Sequence, residues 1–387
     1  MKIALIKIGN MLLSALYALM KFLHRDKSKI LFLSRQANEP SLDFNMLRDE
    51  ILRQKPDAHL VFICNRIAPG LHSKISFVYD TLRSMYHLAT SSVCVLDSYW
   101  PAVSMLNHGS GLTVIQIWHA LGKVKQSGLQ SVGKPGGRSK SIARAMRMHC
   151  NYDFVVAGAP VWNACYCACF ACQETQLLNV GLPRLDVLVS PMTDWADAIG
   201  ARYPQLKDKQ VVLYVPTFRR TKHKEHADLI LALLREDCEF VIKAHPNQQI
   251  DTCGTLECPE FSGMELLSVA DLVITDYSAI ALEAAAAHIP TLYYLYDYDD
   301  YRERNGINID IPAEMPGCVF YDLSSLMHGV HEALEGRYPK EVLNSYRRKF
   351  LISNPGHSTQ VIATCILACA KDGKAIGTKL VRDMRCA

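Results

Sequence analysis

Short apolar runs alternate with stretches of helical periodicity along the first half of the chain. Ile30–Ser34, Leu60–Cys64, Val93–Asp97, Val114–Trp118 and Phe154–Ala157 read as strands, with helices over Leu42–Arg53 and Ile75–Ala89 between them. That alternation predicts a parallel sheet with crossover helices. A basic helix over Ile142–His149 follows the glycine- and lysine-rich loop 134–140. The pattern pauses after "GLPRLDVL" (181–188), and residues 190–208, with Pro191 and Pro204 but no strand pattern, read as a linker. It then restarts. Val211–Val215, Phe240–Ala244, Leu272–Thr275 and Thr291–Leu295 read as strands; His223–Arg235, Gly263–Val269 and Ala279–His288 read as helices. The expected architecture is α/β: two Rossmann-like doubly wound domains facing across a cleft. They span 1–189 and 209–387, and the last helix is a candidate to pack back on the first domain.

The length of 387 residues suits two domains of ordinary size. A hydrophobic share of 49% and a charged share of 21% are those of a globular protein. The net charge of +4 implies no partner, but its distribution does. Between Asp97 and Asp153 there is no acidic residue, and the gap holds Lys123, Lys125, Lys134, Arg138, Lys140, Arg144 and Arg147. A segment of one sign attracts phosphate or anionic lipid, so these residues are expected to face an acceptor or a membrane. The competing reading is a solvated loop balanced by acids nearby in space. No aromatic residues alternate with the basic ones, which argues against nucleic acid.

The N-terminal stretch is apolar with basic flanks. Its longest uncharged run, Met11 to Met20, falls short of the roughly 20 residues needed to span a bilayer. Two readings stay open: an amphipathic helix lying on a membrane surface, and a core helix of the first domain. No cleavable leader is evident, so the fourteen cysteines suit a reducing, cytoplasmic setting. "CYCACFAC" (165–172) has no repeated CxxC and no interleaved histidine, which favours buried thiols over a metal site.

Polar residues gather where strands are expected to end. Val114–Trp118 delivers His119, Val211–Val215 leads to Thr217 and Arg219, and Phe240–Ala244 leads to His245 and Pro246. The strand ending in Thr275 leads to Asp276, Tyr277 and Ser278, with Ser278 expected to cap the next helix and Glu283 about one turn into it. Ligands of parallel α/β sheets sit at such carboxyl ends, and a helix start favours phosphate. His119 suits a general base on a hydroxyl; a protonated His245 would neutralise a leaving phosphate. Asp297, Asp299 and Asp300 form an acidic turn that reads as solvated, with Mg²⁺ as a lesser option; no cofactor is otherwise required. No Walker sequence, no GxGxxG after the first strand and no GxSxG is present.

"IQIWHALGKVKQSG", "NYDFVVAGAP", "LLNVGLPRLDVL", "VLYVPTFRR", "FVIKAHPN" and "DLVITDYSAIALEAAAAHIPTLYYLYDYDDYRERNG" occur in this order. Together they resemble the CDP-glycerol glycerophosphotransferase family of teichoic acid primases, polymerases and capsule enzymes, over roughly residues 90–310. The resemblance implies a glycosyltransferase-B fold working at the inner face of the bacterial membrane. It implies transfer of glycerol phosphate, or ribitol phosphate, from CDP-glycerol or CDP-ribitol to a lipid-linked saccharide or polyol phosphate. By resemblance His119 matches the base and His245 the histidine near the donor pyrophosphate. Thr217 and Arg219 match the family's Pro-Thr-aromatic-Arg element, and Asp276, Tyr277 and Ser278 its phosphate turn. Trp118-His119-Ala120-Leu121-Gly122 departs from the family's Trp-His-Gly-Thr-Pro, which implies a different acceptor. The length leaves no room for a long additional module. Rival readings are a nucleotide-sugar glycosyltransferase or UDP-sugar epimerase of the same fold, and an inactive membrane-associated scaffold.

Overall fold

The structure, a computed structural model, describes residues 2–68, 70–219, 224–234, 237–244 and 254–375. They form two compact units, each built on one parallel sheet. The first comprises residues 1–121, 126–186 and 354 onward; the second comprises 122–125 and 187–353.

The first sheet contains β1 (Asp26–Ser34), β2 (His59–Cys64), β3 (Ser91–Leu96), β4 (Thr113–Gln116), β5 (Phe154–Ala157) and β6 (Leu177–Asn179). Its spatial order is β2-β1-β3-β4-β5-β6, all parallel. Ile30, Leu31, Phe32 and Leu33 of β1 and Val93 to Leu96 of β3 are fully buried. Such continuous apolar runs are what a sheet covered on both faces requires. Helix α2 (Leu42–Gln54) starts at a Ser41 cap and buries Phe44, Leu47 and Ile51. The last described helix, Ser358–Asp372, packs on α2, β1 and β3. Asp186 fixes its start by accepting from the Ser358 and Thr359 N–H groups at 2.9 and 2.8 Å. Arg184 meets Asp43 of α2 in a buried ion pair, so "GLPRLDVL" is an anchoring segment.

The second sheet contains β7 (Val211–Val215), β8 (Glu239–Ile242), β9 (Leu272–Thr275), β10 (Thr291–Tyr294) and β11 (Val319–Phe320), in the order β11-β10-β9-β7-β8. Residues 190–208, read from sequence as a linker, instead carry helix Thr193–Arg202 and a 3-10 turn, and this helix packs on the 3-10 turn Glu265–Val269. The expected helix Gly263–Val269 is only that 3-10 turn. The expected basic helix Ile142–His149 is shorter, Lys140–Ala145, because the chain turns sharply at Arg147 (φ 43°) and His149 (φ 63°).

Helix α1 (Lys2–Met20) runs unbroken through Lys7 and Asn10 and so extends well beyond the uncharged run Met11–Met20. Over Ile3–Met20 its mean hydropathy is 1.8 and only 6% of it is buried, so it is not a core helix; by length and composition it could cross a membrane. Helix α3 (Leu71–Thr90) packs beside it and also turns apolar side chains outward.

Candidate active site

In each sheet the strand order reverses direction once: between β1 and β3 in the first, and between β7 and β9 in the second. At such a point the loops leaving neighbouring strands diverge and open a crevice at the carboxyl ends, where ligands of this fold class sit. The polar residues collect at both places.

At the first, β4 ends at Gln116 and the chain bends at Trp118, whose φ of 62° is left-handed. A bulky residue held there costs about 1–3 kcal/mol and needs its surroundings to impose it. Three contacts do so. The Trp118 N–H donates to Gln116 Oε1 at 2.8 Å. Gln116 Nε2 donates to the Ser98 carbonyl at 3.4 Å. The indole packs edge-on to Phe170 at 5.2 Å. Phe170 closes the cysteine-rich helix Asn163–Phe170, so "CYCACFAC" acts here as a buttress for Trp118. No cysteine among the described residues is in a disulfide. Gly128 is needed beside this helix: it has φ 57°, and an added Cβ would lie 2.6 Å from the Cys169 carbonyl oxygen.

The bend carries His119 back to the end of β3. There its Nδ1 meets the main-chain oxygen of Asp97 at 2.8 Å. A carbonyl only accepts, so Nδ1 holds the hydrogen and Nε2 the lone pair. The Asp97 side chain is buried and accepts from Ser34 Oγ at 2.7 Å. Burial pushes its carboxyl up to about 6, against the pull of the serine hydroxyls.

At the second reversal, Thr217 and Arg219 follow β7, and Asp276, Tyr277 and Ser278 follow β9. Both Asp276 oxygens accept from the Thr217 N–H at 3.0 Å. Arg219 donates Nη2 to Asp276 at 2.9 Å and Nε to Asp297 at 2.7 Å, and its Nη1 reaches the Thr217 carbonyl at 2.9 Å. Tyr277 Oη donates to Asp297 at 3.0 Å, and its ring stacks on Tyr301 at 4.0 Å. Burial alone would weaken the hold of Arg219 on its proton, but Asp276 and Asp297 outweigh it and raise its pKa. Arg219, Asp276, Tyr277 and Asp297 thus form a buried brace that fixes the two loops to each other. Thr275 Oγ1 donates to the Val215 carbonyl at 2.7 Å and belongs to the same brace.

Two groups remain for a ligand. Thr217 Oγ1 is buried with no hydrogen-bond partner. Lys125 is half-buried; its ammonium lies in the field of Asp276 and Arg219, and burial lowers its pKa, Asp276 opposing and Arg219 adding. Ser278 is half-buried, but the N-cap of the next helix is Ala279, and Ser278 Oγ only reaches the Ile280 N–H at 3.5 Å. Glu283 is buried in that helix. His245 lies outside the described residues.

The seven basic residues do not form one surface. Gly122–Lys125 folds with the second unit, where Lys125 bridges Ile307 and Asn308 Nδ2 donates to the Lys123 carbonyl at 2.7 Å. Lys123 is buried, which corrects the expectation that its side chain faces an acceptor or a membrane. Lys134 is half-buried, and Arg138, Lys140 and Arg144 are exposed on the first unit. Arg147 is half-buried and donates to Asn107 Oδ1 at 2.8 Å. The acidic turn is not simply solvated either, since Asp297 pairs with Arg219. Among the described residues no group of three or more His, Cys, Asp or Glu is arranged to hold a metal. Sequence reading missed Asp97 as the holder of His119 and Asp297 as half of the brace.

Residues 15–368 match a family model described as CDP-glycerol:poly(glycerophosphate) glycerophosphotransferase. A teichoic acid ribitol-phosphate primase of Bacillus spizizenii is 27% identical over 357 residues, covering 87% of this chain and 90% of the relative. A teichoic acid poly(ribitol-phosphate) polymerase of the same organism is 24% identical, and the match covers 87% of this chain but 59% of that longer protein. A solved structure of the wall teichoic acid polymerase TagF soaked with CDPG superposes with a TM-score of 0.76 at 19% identity, covering 96% of this chain and 98% of that one. At that identity the likeness is one of fold.

Proposed function

Because this chain belongs to the CDP-glycerol:poly(glycerophosphate) glycerophosphotransferase family, we propose that it moves a polyol phosphate from a CDP-activated donor to a hydroxyl, releasing CMP, in synthesis of teichoic acid or a related cell-surface polymer. Glycerol phosphate is the first candidate and ribitol phosphate the second. The observation that carries the chemistry is the tautomer of His119. With Nδ1 committed to Asp97, Nε2 accepts the proton of the acceptor hydroxyl. The oxygen then attacks the phosphorus that bears the polyol. The bond from that phosphorus to the CMP oxygen breaks in line, and CMP departs with its electron pair. Charge spreads over the phosphoryl oxygens, so the donor needs fixed hydrogen-bond donors and cations. Thr217 Oγ1, the Lys125 ammonium and Ser278 supply them from the second switch point, with Arg219 and Asp276 bracing the loops. His245, shortly after β8, is assigned to the departing phosphate by its place in the sequence.

The acceptor is assigned to a lipid-linked saccharide or polyol phosphate at the inner face of the cell membrane. Support comes from the paired outer faces of α1 and α3. Leu5, Ile8, Leu12 and Leu19 recur at helical spacing on one, and Leu71, Ile75, Val78 and Tyr79 on the other, all of them more than half exposed. Exposed apolar helix faces with Lys140 and Arg144 on the helix packed against α1 suit an anionic bilayer surface.

Mass spectrometry after incubation with CDP-glycerol, CDP-ribitol and a lipid-linked saccharide tests the reading. An acceptor heavier by one polyol phosphate, with CMP released, is expected. Turnover only with UDP-sugars, releasing UDP or UMP, would replace it with the nucleotide-sugar reading.

A further inference from the structure

We propose that Arg35, with Arg138 beside it, forms an anion subsite at the switch point of the first sheet that seats a phosphate group of the acceptor next to His119. The inference rests on the transferase reading for the identity of the acceptor, but the subsite itself is argued from the first unit alone.

Arg35 is the first residue after β1, opposite the loop that leaves β3. That loop, residues 97–99, holds three things. The Asp97 carbonyl holds His119. The Ser98 hydroxyl accepts from the Arg35 N–H at 3.0 Å, and the Tyr99 carbonyl accepts from Arg35 Nη1 at 3.1 Å. Two residues of extended chain span at most roughly 7 Å, so the guanidinium and the imidazole are held on one short shelf. The guanidinium also lies over the Phe77 ring of α3, 5.2 Å from its centroid.

Its charge is unanswered. Arg35 forms no ion pair with a carboxylate among the described residues, and its Nε–H is buried without a hydrogen-bond partner. Among the charged groups that act on it is another cation, Arg138. Burial and that repulsion both lower its pKa. Tyr99 ties the second arginine to the same shelf. Its hydroxyl donates to the Met146 carbonyl at 2.8 Å, and Met146 Sδ lies 3.4 Å from Arg138 Nη1. A guanidinium without a carboxylate partner among the described residues, carrying an unsatisfied buried N–H and lying in the field of a second guanidinium, is stabilised by an oxyanion that accepts from it. The contrast with Arg219, which meets two carboxylates, is direct. Phosphate is the anion that the transferase reading brings to this side, because a polyol phosphate acceptor carries phosphate on the same unit as its reacting hydroxyl. Phe77 also links the subsite to α3, whose outer face is apolar.

The test compares wild type with Arg35→Gln, Arg35→Lys and Arg138→Gln, each first checked for an unchanged thermal midpoint. Initial rates are measured against a phosphate-bearing lipid-linked acceptor, its water-soluble short-chain analogue, and CDP-glycerol. Arg35→Gln is expected to raise the acceptor KM by on the order of tenfold to a hundredfold, for both acceptors, while the CDP-glycerol KM stays within about twofold. Arg138→Gln gives a smaller rise, and Arg35→Lys recovers part of the loss. Equal rises for donor and acceptor, no rise at all, or a loss confined to the vesicle-borne acceptor would each overturn the subsite. Independently of turnover, Trp118 fluorescence is titrated with inorganic pyrophosphate in the presence of CMP. Weaker binding in Arg35→Gln and Arg138→Gln supports the subsite even if no acceptor is turned over, whereas unchanged binding removes it. Should Arg35→Gln fail to fold, exposed Arg138→Gln carries the titration alone.

Discussion

His119 and Asp97 are joined by a 2.8 Å hydrogen bond from imidazole Nδ1 to a main-chain oxygen rather than to a carboxylate. The contact fixes the ring and its tautomer without placing a negative charge directly against it. A ring held this way presents Nε2 as the acceptor for a proton, which is what a general base on a hydroxyl needs.

Replacing His119 with Asn or Ala should therefore lower kcat by about 10²–10⁴-fold, the usual contribution of a positioned general base. Donor affinity should hardly change. Stopped-time assays of CMP release and calorimetry with CDP-glycerol separate the two. Near-normal transfer by His119→Ala would reject the assignment.

Asp97→Asn should stabilise the protein at pH 8 and not at pH 4. The folded-state pKa of Asp97 is raised from 3.8 to about 6, mainly by burial. Between those values the folded protein binds more protons than the unfolded chain, so stability falls as pH rises through the window and stays lower above it. Asparagine removes the penalty, worth up to about 3 kcal/mol above pH 6. Residue 97 still presents its carbonyl to His119, so transfer should persist. Denaturant unfolding at pH 4, 6 and 8 reads the effect; a gain that does not vary with pH would contradict the buried-carboxylate account.

The sequence carried the strands well, because a strand buried on both faces must be a continuous apolar run. Phe154–Ala157, Val211–Val215 and Leu272–Thr275 have the expected bounds. His119 and Asp276 were legible as polar residues abutting such runs. Arg35 was not, because nothing in "LSRQ" distinguishes it from any charged residue after a strand; its meaning comes from β3 lying beside β1, and spatial order is not written locally. The role of Asp297 was hidden the same way, since Arg219 reaches it from another strand end. Lys123 and Lys125 were grouped with the basic residues that follow because they are close in sequence, yet backbone pairing with Ile307 and Asn308 takes them into the second unit.

Arg219→Met should be among the most damaging substitutions to stability. It leaves the Asp276 and Asp297 carboxylates, with side chains 3% and 10% exposed, facing each other without a cation. Breaking a buried ion pair from one side costs about 3–5 kcal/mol. Arg219→Lys should recover only part, since an ammonium cannot bridge both carboxylates in plane and stack on Tyr301. Urea unfolding at neutral pH measures both; a lysine variant as stable as wild type would show that charge alone is what the brace needs.

Thr217→Val should do the opposite: leave stability within about 0.5 kcal/mol and weaken the donor. Its hydroxyl is buried without a partner, so removing it breaks no contact of the fold. If that oxygen meets the donor phosphate, the KM for CDP-glycerol should rise on the order of tenfold, with the acceptor KM unchanged. An unaltered donor KM in the folded variant would take Thr217 out of the donor site.

The outer face of α1 and α3 is the part of the molecule least explained by folding. Leu12 is 63% exposed and Ile75 is 61% exposed, so glutamate at both positions should leave the thermal midpoint unchanged. Burying such side chains in a bilayer contributes about 1.5–3 kcal/mol each, and a carboxylate reverses the sign. The double variant should therefore no longer sediment with anionic vesicles at low salt. Neutralising Lys140 and Arg144 should weaken binding to anionic vesicles and flatten its salt dependence, with little effect on neutral ones. If the glutamate variant sediments as wild type does, the two helices do not dock on lipid, and the membrane assignment for this chain fails with them.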